Sequence, residues 1–333
     1  MRKRFVLLAS FVVSCFIPIL SIASGGGTTN PCWNIGMWYW PDTMPPGCIV
    51  VGPGQGLLSY LIACPKAGCP PEPCNCAHEA GKPISLSTGD SYIKQSDLSI
   101  PGLGGGLDLT RTWDSFFPQG SVGYSTGFFG QGWRSTYEEN IRIGSDHYIK
   151  YTRGDGKVWS FAYENGQCIL AAPKNTQATL SQDGVSWTLT FQNGEQRKFS
   201  FITGFLNTIT DRNGNTTQLS YDSSNRLTTV TSPGGQHLYF NYGSGSTSNL
   251  ITSVTTDFGM SLSYSYDTQG RLTQVTRPDQ TTVSFTYNDQ SQITSVTDNN
   301  GKVLESHTYD STGRGLTSSL ANGVNSVSIT YPQ

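Results

Sequence analysis

Charge is scarce in this chain: only 13 % of its 333 residues are charged, and the formal net charge is −2. The positive surplus that a phosphate backbone demands is missing, which argues against a nucleic-acid partner. The four histidines, His78, His147, His237 and His307, stand far apart, and no serine sits in a G-x-S-x-G elbow. Hydrolase chemistry of the Ser-His-Asp kind therefore lacks its parts. Long helices are excluded as well, because 38 glycines and 17 prolines punctuate the chain throughout. Beyond the N-terminus no apolar run can span a bilayer; the longest, IVVGPGQGLLSYLIAC, is broken by Gly and Pro. What is present is a hydrophobic content of 36 %, enough to bury the core of one large or two medium domains.

The first 23 residues read as an address. Met1-Arg-Lys-Arg is a positive n-region, Phe5 to Ile22 is almost wholly apolar, and Ser21-Ile-Ala23 is a small-x-small cleavage site. This pattern predicts a signal peptide over 1–23 and a secreted or cell-surface protein. Two rival readings attach the chain to a membrane: an uncleaved signal, or a lipidated Cys15 in Val12-Val-Ser-Cys15, as in an outer-membrane lipoprotein. Residues 24–82 form a Cys-rich segment without sustained periodicity. Its six cysteines, Cys32, Cys48, Cys64, Cys69, Cys74 and Cys76, read as three disulfides of open connectivity. A zinc site on Cys64, Cys69, Cys74, Cys76 and His78 is the weaker reading, since Cys-Asn-Cys is unlike a C-x-x-C knuckle. Cys168 stands alone, either buried and inert or paired with one of the six. Trp33, Trp38, Tyr39 and Trp40 offer a stacking platform for a glycan or partner, against the plainer reading that they fill a small core.

From Ile84 the texture becomes short β-branched and aromatic runs between turn signals, as in DGVSWTLTF and NGEQRKFSF. This predicts an antiparallel all-β architecture, with a β domain over 83–203 and a repeat array over 204–333. In the array, Tyr221, Tyr242, Tyr266, Tyr287, Tyr309 and Tyr331 recur 21 to 24 residues apart. Leu206, Leu227, Ile251, Leu272 and Ile293 open the first five copies, each followed three residues later by Ile209, Val230, Val254, Val275 or Val296. A fixed period over six copies means a repeat architecture.

The closing half of each copy alternates, as in Leu238, Phe240, Tyr242, and predicts a strand with one buried face. The opening half spaces its apolar residues by three, so its leading Leu or Ile is expected at a bulge or just before the strand. Asp211-Arg-Asn-Gly, Ser232-Pro-Gly-Gly, Arg277-Pro-Asp-Gln and Asp298-Asn-Asn-Gly read as turns between the halves. Asp211-Arg-Asn-Gly-Asn215 is a turn rather than a calcium loop, because no twelfth-position Glu follows. Gly102-Leu-Gly-Gly-Gly106 is a loop without phosphate-binding context. No motif calls for a cofactor or a metal.

These residues resemble the Rhs or YD-repeat proteins. The repeat G-x-L-x-x-V-T-D-x-x-G followed by a strand ending in Tyr-Asp stands at 204–222 and 270–288, and the YD dipeptide at Tyr221-Asp222, Tyr266-Asp267 and Tyr309-Asp310. Copies ending Tyr242-Gly, Tyr287-Asn and Tyr331-Pro depart from it. Pieces such as Pro83-Ile-Ser-Leu-Ser-Thr-Gly89, Leu109-Thr-Arg-Thr-Trp-Asp-Ser115 and Gly154-Asp-Gly156 resemble the domain that precedes such repeats.

The resemblance implies an extended, curved sheet of β-hairpins, part of a shell that encloses or displays a polymorphic toxin, and no catalysis by the repeats themselves. The expected partner is a protein, or a continuing Rhs chain, along the open sheet edge. The array shows only six copies and lacks the family's closing motif and toxin. A carbohydrate- or cell-surface-binding module is the alternative.

Overall fold

The computed structural model describes residues 84–85, 88–116, 127–164, 167–173 and 177–331, together with the backbone of four short strands upstream. Those upstream strands are β1 (Trp33–Tyr39), β2 (Ile49–Pro53), β3 (Ser59–Pro65) and β4 (Glu79–Ala80). β3 is the centre of a three-stranded antiparallel sheet with β1 and β2. β4 pairs with β5 (Ile84–Ser85). The N-terminal β domain then forms a second three-stranded sheet from β6 (Tyr92–Ile100), β7 (Leu107–Asp114) and β8 (Trp133–Ser135).

Everything after Glu139 belongs to one antiparallel sheet of 19 strands. It runs through β9 (Asn140–Ile143), β10 (Ile149–Thr152), β11 (Val158–Glu164), β12 (Gln167–Ala172), β13 (Ala178–Gln182), β14 (Ser186–Phe191) and β15 (Gln196–Ser200). The repeat copies follow as hairpins: β16 (Leu206–Thr210) with β17 (Thr216–Tyr221), β18 (Leu227–Thr231) with β19 (His237–Tyr242), and β20 (Ile251–Thr256) with β21 (Ser261–Tyr266). Then come β22 (Leu272–Thr276) with β23 (Thr282–Tyr287), β24 (Ile293–Asp298) with β25 (Val303–Tyr309), and β26 (Gly315–Leu320) with β27 (Val327–Ser328).

The array is all-β and curved, as the sequence predicts. No register joins β27 to β9 among the described residues, so the sheet does not close end to end. Instead Asn140 of β9 bridges Phe205, and the Ile141 amide donates to the Gly204 carbonyl at 2.8 Å. β9 thus lies beside the start of β16, while β17 pairs farther along at Thr208–Thr210. The sheet begins a second turn beside its first, which makes it a spiral rather than a barrel.

The spacing of three has a definite cause. Tyr221 pairs with Leu227 and Ser220 with Thr229, so Thr228 is an extra residue on the opening strand. A bulge at this place recurs at Asn207, Thr252, Thr273 and Thr294, with the same skipped register. Three residues on the closing strand, Leu219 to Tyr221, therefore match four on the opening strand, Val230 back to Leu227. Both apolar residues face inward despite the odd count. Leu227, Val230, Ile251, Val254, Leu272, Val275, Ile293 and Val296 are fully buried in consequence. The leading residue opens its strand with the bulge directly after it.

The turns obey one rule as well. In Asp211–Asn215 the Gly214 amide donates to the Asp211 carbonyl, and the Asp211 amide to the Asn215 carbonyl. The same pair of bonds recurs at Ser232–Gln236, Arg277–Thr281 and Asp298–Lys302. Each is a type I turn closed by a residue at positive φ, the three-residue hairpin loop. Gly214, Gly235 and Gly301 take that position without strain, whereas Gln280 takes it at φ 66.

Candidate functional site: the seam between the N-terminal domain and the repeats

The six repeat tyrosines do one job. Each hydroxyl donates to the carbonyl of the residue that opens its own hairpin's first strand: Tyr221 to Leu206, Tyr242 to Leu227, Tyr266 to Ile251, Tyr287 to Leu272, Tyr309 to Ile293 and Tyr331 to Gly315, at 2.7–3.0 Å. That carbonyl lies beside the bulge, where the ladder cannot satisfy it, so the phenol supplies the missing bond. Burial pushes the hydroxyls of Tyr221, Tyr266 and Tyr287 well above the usual phenol range. They are structural donors and not acids.

Three arginines complete the unit. Asp222, Asp267 and Asp310 each accept amides two and four residues on and pair with Arg226, Arg271 and Arg314. Each guanidinium lies over the tyrosine of the next copy, at 4.7 Å for Tyr242, 5.1 Å for Tyr287 and 4.2 Å for Tyr331. The tyrosine row was legible in the sequence, but these arginines were not part of that reading. Their signal was the constant spacing of four between Asp and Arg, with Arg226 and Arg271 directly before the leading leucine.

The inner face of the array is covered by the N-terminal domain. Going along the copies, Tyr137 meets Phe240 edge-on, Phe129 meets Tyr264 with centroids 5.0 Å apart, and Trp133 meets Phe285 at 5.0 Å. Polar links run beside the rings. The Ile251 amide donates to the Phe128 carbonyl at 2.8 Å, and the Trp133 indole N–H to the Tyr287 hydroxyl at 3.2 Å. At the far end the Gly315 amide donates to the Gly89 carbonyl at 2.7 Å. One hydrophobic core contains Leu107, Leu109, Trp113 and Trp133 together with the inward residues of β16 to β24.

At the middle of this seam lies a buried ion pair. Arg111 donates through Nε and Nη2 to Asp97, and the Tyr264 hydroxyl donates to the same carboxylate at 2.9 Å. Arg111 is 1 % exposed. Its Nη1 has no hydrogen-bond partner among the described residues, and the guanidinium carbon lies 4.5 Å from the Trp133 centroid, 5.4 Å from Tyr264 and 5.7 Å from Phe129. A cation in an aromatic cage joins two domains at one point. Two further buried carboxylates work nearby. Glu138 accepts the Phe128 and Ser135 amides, and Glu139 accepts the Tyr151 hydroxyl and Arg197. Burial raises both their pKa values above the ordinary range.

The other sequence candidates are not brought to this seam. The cysteines Cys32, Cys48, Cys69, Cys74 and Cys76 and the ring of Trp40 lie outside the described residues. Trp33, Trp38 and Tyr39 fall on β1 and Cys64 on β3, whose side chains lie outside them too. Cys168 is a free thiol on β12, half-buried, and burial pushes its pKa up to about 11, which selects the inert reading. Asp211 caps its turn by accepting the Asn213 and Asn215 amides, as a structural Asp should. Among the described residues no three His, Cys, Asp or Glu side chains gather as a metal site.

The comparisons with known proteins follow this division of the chain. The profile of a domain of unknown function, DUF6531, matches residues 81–161, and that of the RHS repeat matches 204–237 and 246–282. The chain carries a DUF6531 domain followed by RHS repeats. Over 145 residues it is 27 % identical to the tRNA nuclease WapA of Bacillus subtilis (strain 168) and to the tRNA3(Ser)-specific nuclease WapA of Bacillus spizizenii. That match covers 44 % of this chain but 6 % of either relative. Among solved structures, the crystal structure of TcdB2-TccC3-Cdc42 aligns over 68 % of this chain and 15 % of its own, with 11 % identity and a TM-score of 0.29. A structure of TcdB2-TccC3 without its hypervariable C-terminal region aligns over 69 % and 12 %, with 14 % identity and a TM-score of 0.27. The seam described above is therefore a contact between the DUF6531 domain and the RHS repeats.

Proposed function

We propose that this chain is the capped beginning of an RHS shell, in which the DUF6531 domain plugs the first turns of the spiral and the trailing edge accepts further strands. The observation that carries this reading is the filled inner face. Phe240, Tyr264 and Phe285 each meet a ring of the DUF6531 domain, so this part of the array holds its own cap rather than cargo. The inner row changes character from the closing strand of the fifth copy. Where earlier copies place Leu238 and Phe240 or Val283 and Phe285, the fifth places Glu305 and His307, and in the sixth Gly315 and Ser318 replace the Leu and Val of the opening strand. Apolar contact with the cap ends there, and a polar interior begins.

The trailing edge supports the second half of the proposal. β27 covers β26 at Thr317 and Ser318, with the Ile329 amide donating to the Leu316 carbonyl, and the outer side of β27 pairs with no further strand among the described residues, which leaves it available for strand addition. The strands that continue the sheet come from an RHS chain or a protein partner. What the finished shell holds or displays is, by analogy with toxin-bearing relatives, a toxic protein. The leader over 1–23 and the paired cysteines of 24–82 direct the cap to the cell exterior, where three disulfides staple the upstream segment.

The edge is tested with the full chain by light scattering after gel filtration. Concentration-dependent self-association is expected, and Ser328→Lys with Ile329→Lys should abolish it by charging the edge. A native chain that stays monomeric at every concentration, with freely exchanging amides over 327–331, would overturn this part. The intact mass of the exported protein tests the leader and the disulfides: an uncut N-terminus or six free thiols removes that part.

A further inference from the structure

The DUF6531 domain has a second face, turned away from the repeats. On β6 and β7 the inward residues Ile93, Arg111 and Trp113 serve the seam, so their neighbours Tyr92, Lys94, Thr112 and Asp114 point outward. Tyr92 pairs across the strands with Asp114, and Lys94 with Thr112, making a four-residue floor. Asp90 forms one wall. The tip of the β10–β11 hairpin, Asp155-Gly-Lys157, forms the other. A Cβ at Gly156 would stand 3.6 Å from the Asp114 carboxylate, so the hairpin leans directly over the floor. Together these residues line a cavity of about 240 Å³.

We propose that this cavity is a binding site for one neutral sugar ring. The volume holds about eight water molecules, the scale of a monosaccharide. Its lining carries three carboxylates, Asp90, Asp114 and Asp155, against two ammonium groups, Lys94 and Lys157. A free anion meets the carboxylates and a free cation meets the lysines, so neither gains a large net attraction. A pyranose donates to carboxylates and accepts from ammonium groups with the same set of hydroxyls. The walls are fixed in place: Asp90 accepts the Ser115 hydroxyl at 2.9 Å, Asp114 the Phe116 amide at 2.9 Å, and Asp155 pairs with Arg153 at 3.1 Å. Lys157 holds its ammonium 5.7 Å from the centre of the Tyr92 ring.

Two groups in the floor point to a ligand. Thr112 is 6 % exposed, and its hydroxyl has no hydrogen-bond partner among the described residues although it faces the cavity. Beside it the exposed Lys94 ammonium is unpaired among them as well. The hydroxyl opens onto the cavity within an otherwise buried residue, so a ligand there can partner it. A sugar hydroxyl bridging Thr112 and Lys94 satisfies both.

The test is a titration of the full chain with methyl glucoside, methyl galactoside, methyl mannoside and N-acetylglucosamine, read by saturation-transfer NMR and calorimetry. At least one is expected to saturate, with binding weakened about tenfold by Thr112→Val and by Lys94→Met. Both substitutions point into the cavity, and an unchanged thermal midpoint confirms that each variant is folded. The proposal is overturned if no sugar saturates or if both variants bind as the native chain does. It also fails if inorganic phosphate displaces the sugar, or if Trp38→Ala with Trp40→Ala abolishes binding while the cavity variants do not.

Discussion

The Asp97–Arg111 pair offers the sharpest test of how the cap is held. Truncating Asp97 to Ala strands a guanidinium that is 1 % exposed, and it takes away the acceptor of the Tyr264 hydroxyl. The aromatic cage around Arg111 compensates only in part, since a desolvated cation–π contact contributes about 2 kcal/mol. Removing one partner of a buried pair costs about 3–5 kcal/mol. The half-exposed Asp222–Arg226 pair, in comparison, is worth about 0.3–0.5 kcal/mol. The two truncations should thus differ by roughly an order of magnitude. Replacing both members, Asp97→Leu with Arg111→Met, should recover most of the loss, because no uncompensated charge is left behind. A repeat protein of this length need not unfold in one step, so the readout must be local. Trp133 stacks on Arg111 and packs against Phe285, so its fluorescence during guanidinium unfolding reports the seam itself. If Asp97→Ala shifts that transition by less than about 1 kcal/mol, or the double replacement is no better than the single one, the pair is not what joins cap to array.

Two further outcomes are expected. Gln280 holds a left-handed backbone at φ 66 where the equivalent residues in other turns are Gly214, Gly235 and Gly301, so Gln280→Gly should raise stability by up to about 1 kcal/mol; an unchanged or lower thermal midpoint refutes this. Asp222 is held below the usual carboxylate range by the Arg226 amide and side chain; at Asp310 burial acts in the opposite sense and is outweighed by the Thr312 hydroxyl and Arg314. Their folded pKa values lie below the unfolded value of about 3.9, so their contribution is complete above it and fades as pH falls through the folded values. The array should lose stability as pH drops below about 4, with a shallower slope in Asp222→Asn, Asp310→Asn; an identical slope counts against the capping role.

The repeat was legible because its rules are local. Alternation on β19, β21 and β23, the turn residues and the terminal tyrosine all act within about twenty residues, and each imprints a pattern on the chain. The bulge was legible too, since only an extra residue lets Leu227 and Val230 share a face. The contact between cap and array was not. Its partners, Asp97 and Tyr264 or Trp133 and Phe285, lie about 150 residues or more apart, and no period links them. One clue was present in LDLTRTWD, where Arg111 occupies an alternating row with Leu107, Leu109 and Trp113. A charge in such a row is either a solvated edge or a buried partner, and a single strand does not distinguish the two.

Arg226, Arg271 and Arg314 bind each turn to the tyrosine of the next copy, and Gln292 plays a related part by donating to the Gly313 carbonyl at 2.7 Å. Links of this kind join neighbours alone. An array held only by them would behave as a one-dimensional chain and fray from its ends. The DUF6531 domain breaks that rule, because the same small sheet touches Phe240, Tyr264 and Phe285, and the strap before it bonds Gly315. Contacts from one body to the second, third, fourth and sixth copies couple their opening: releasing any of these copies costs its share of the cap as well as its neighbours. A short array covered in this way can remain rigid while its trailing edge stays open. On the proposed reading, an edge that receives further strands has to be presented in that state.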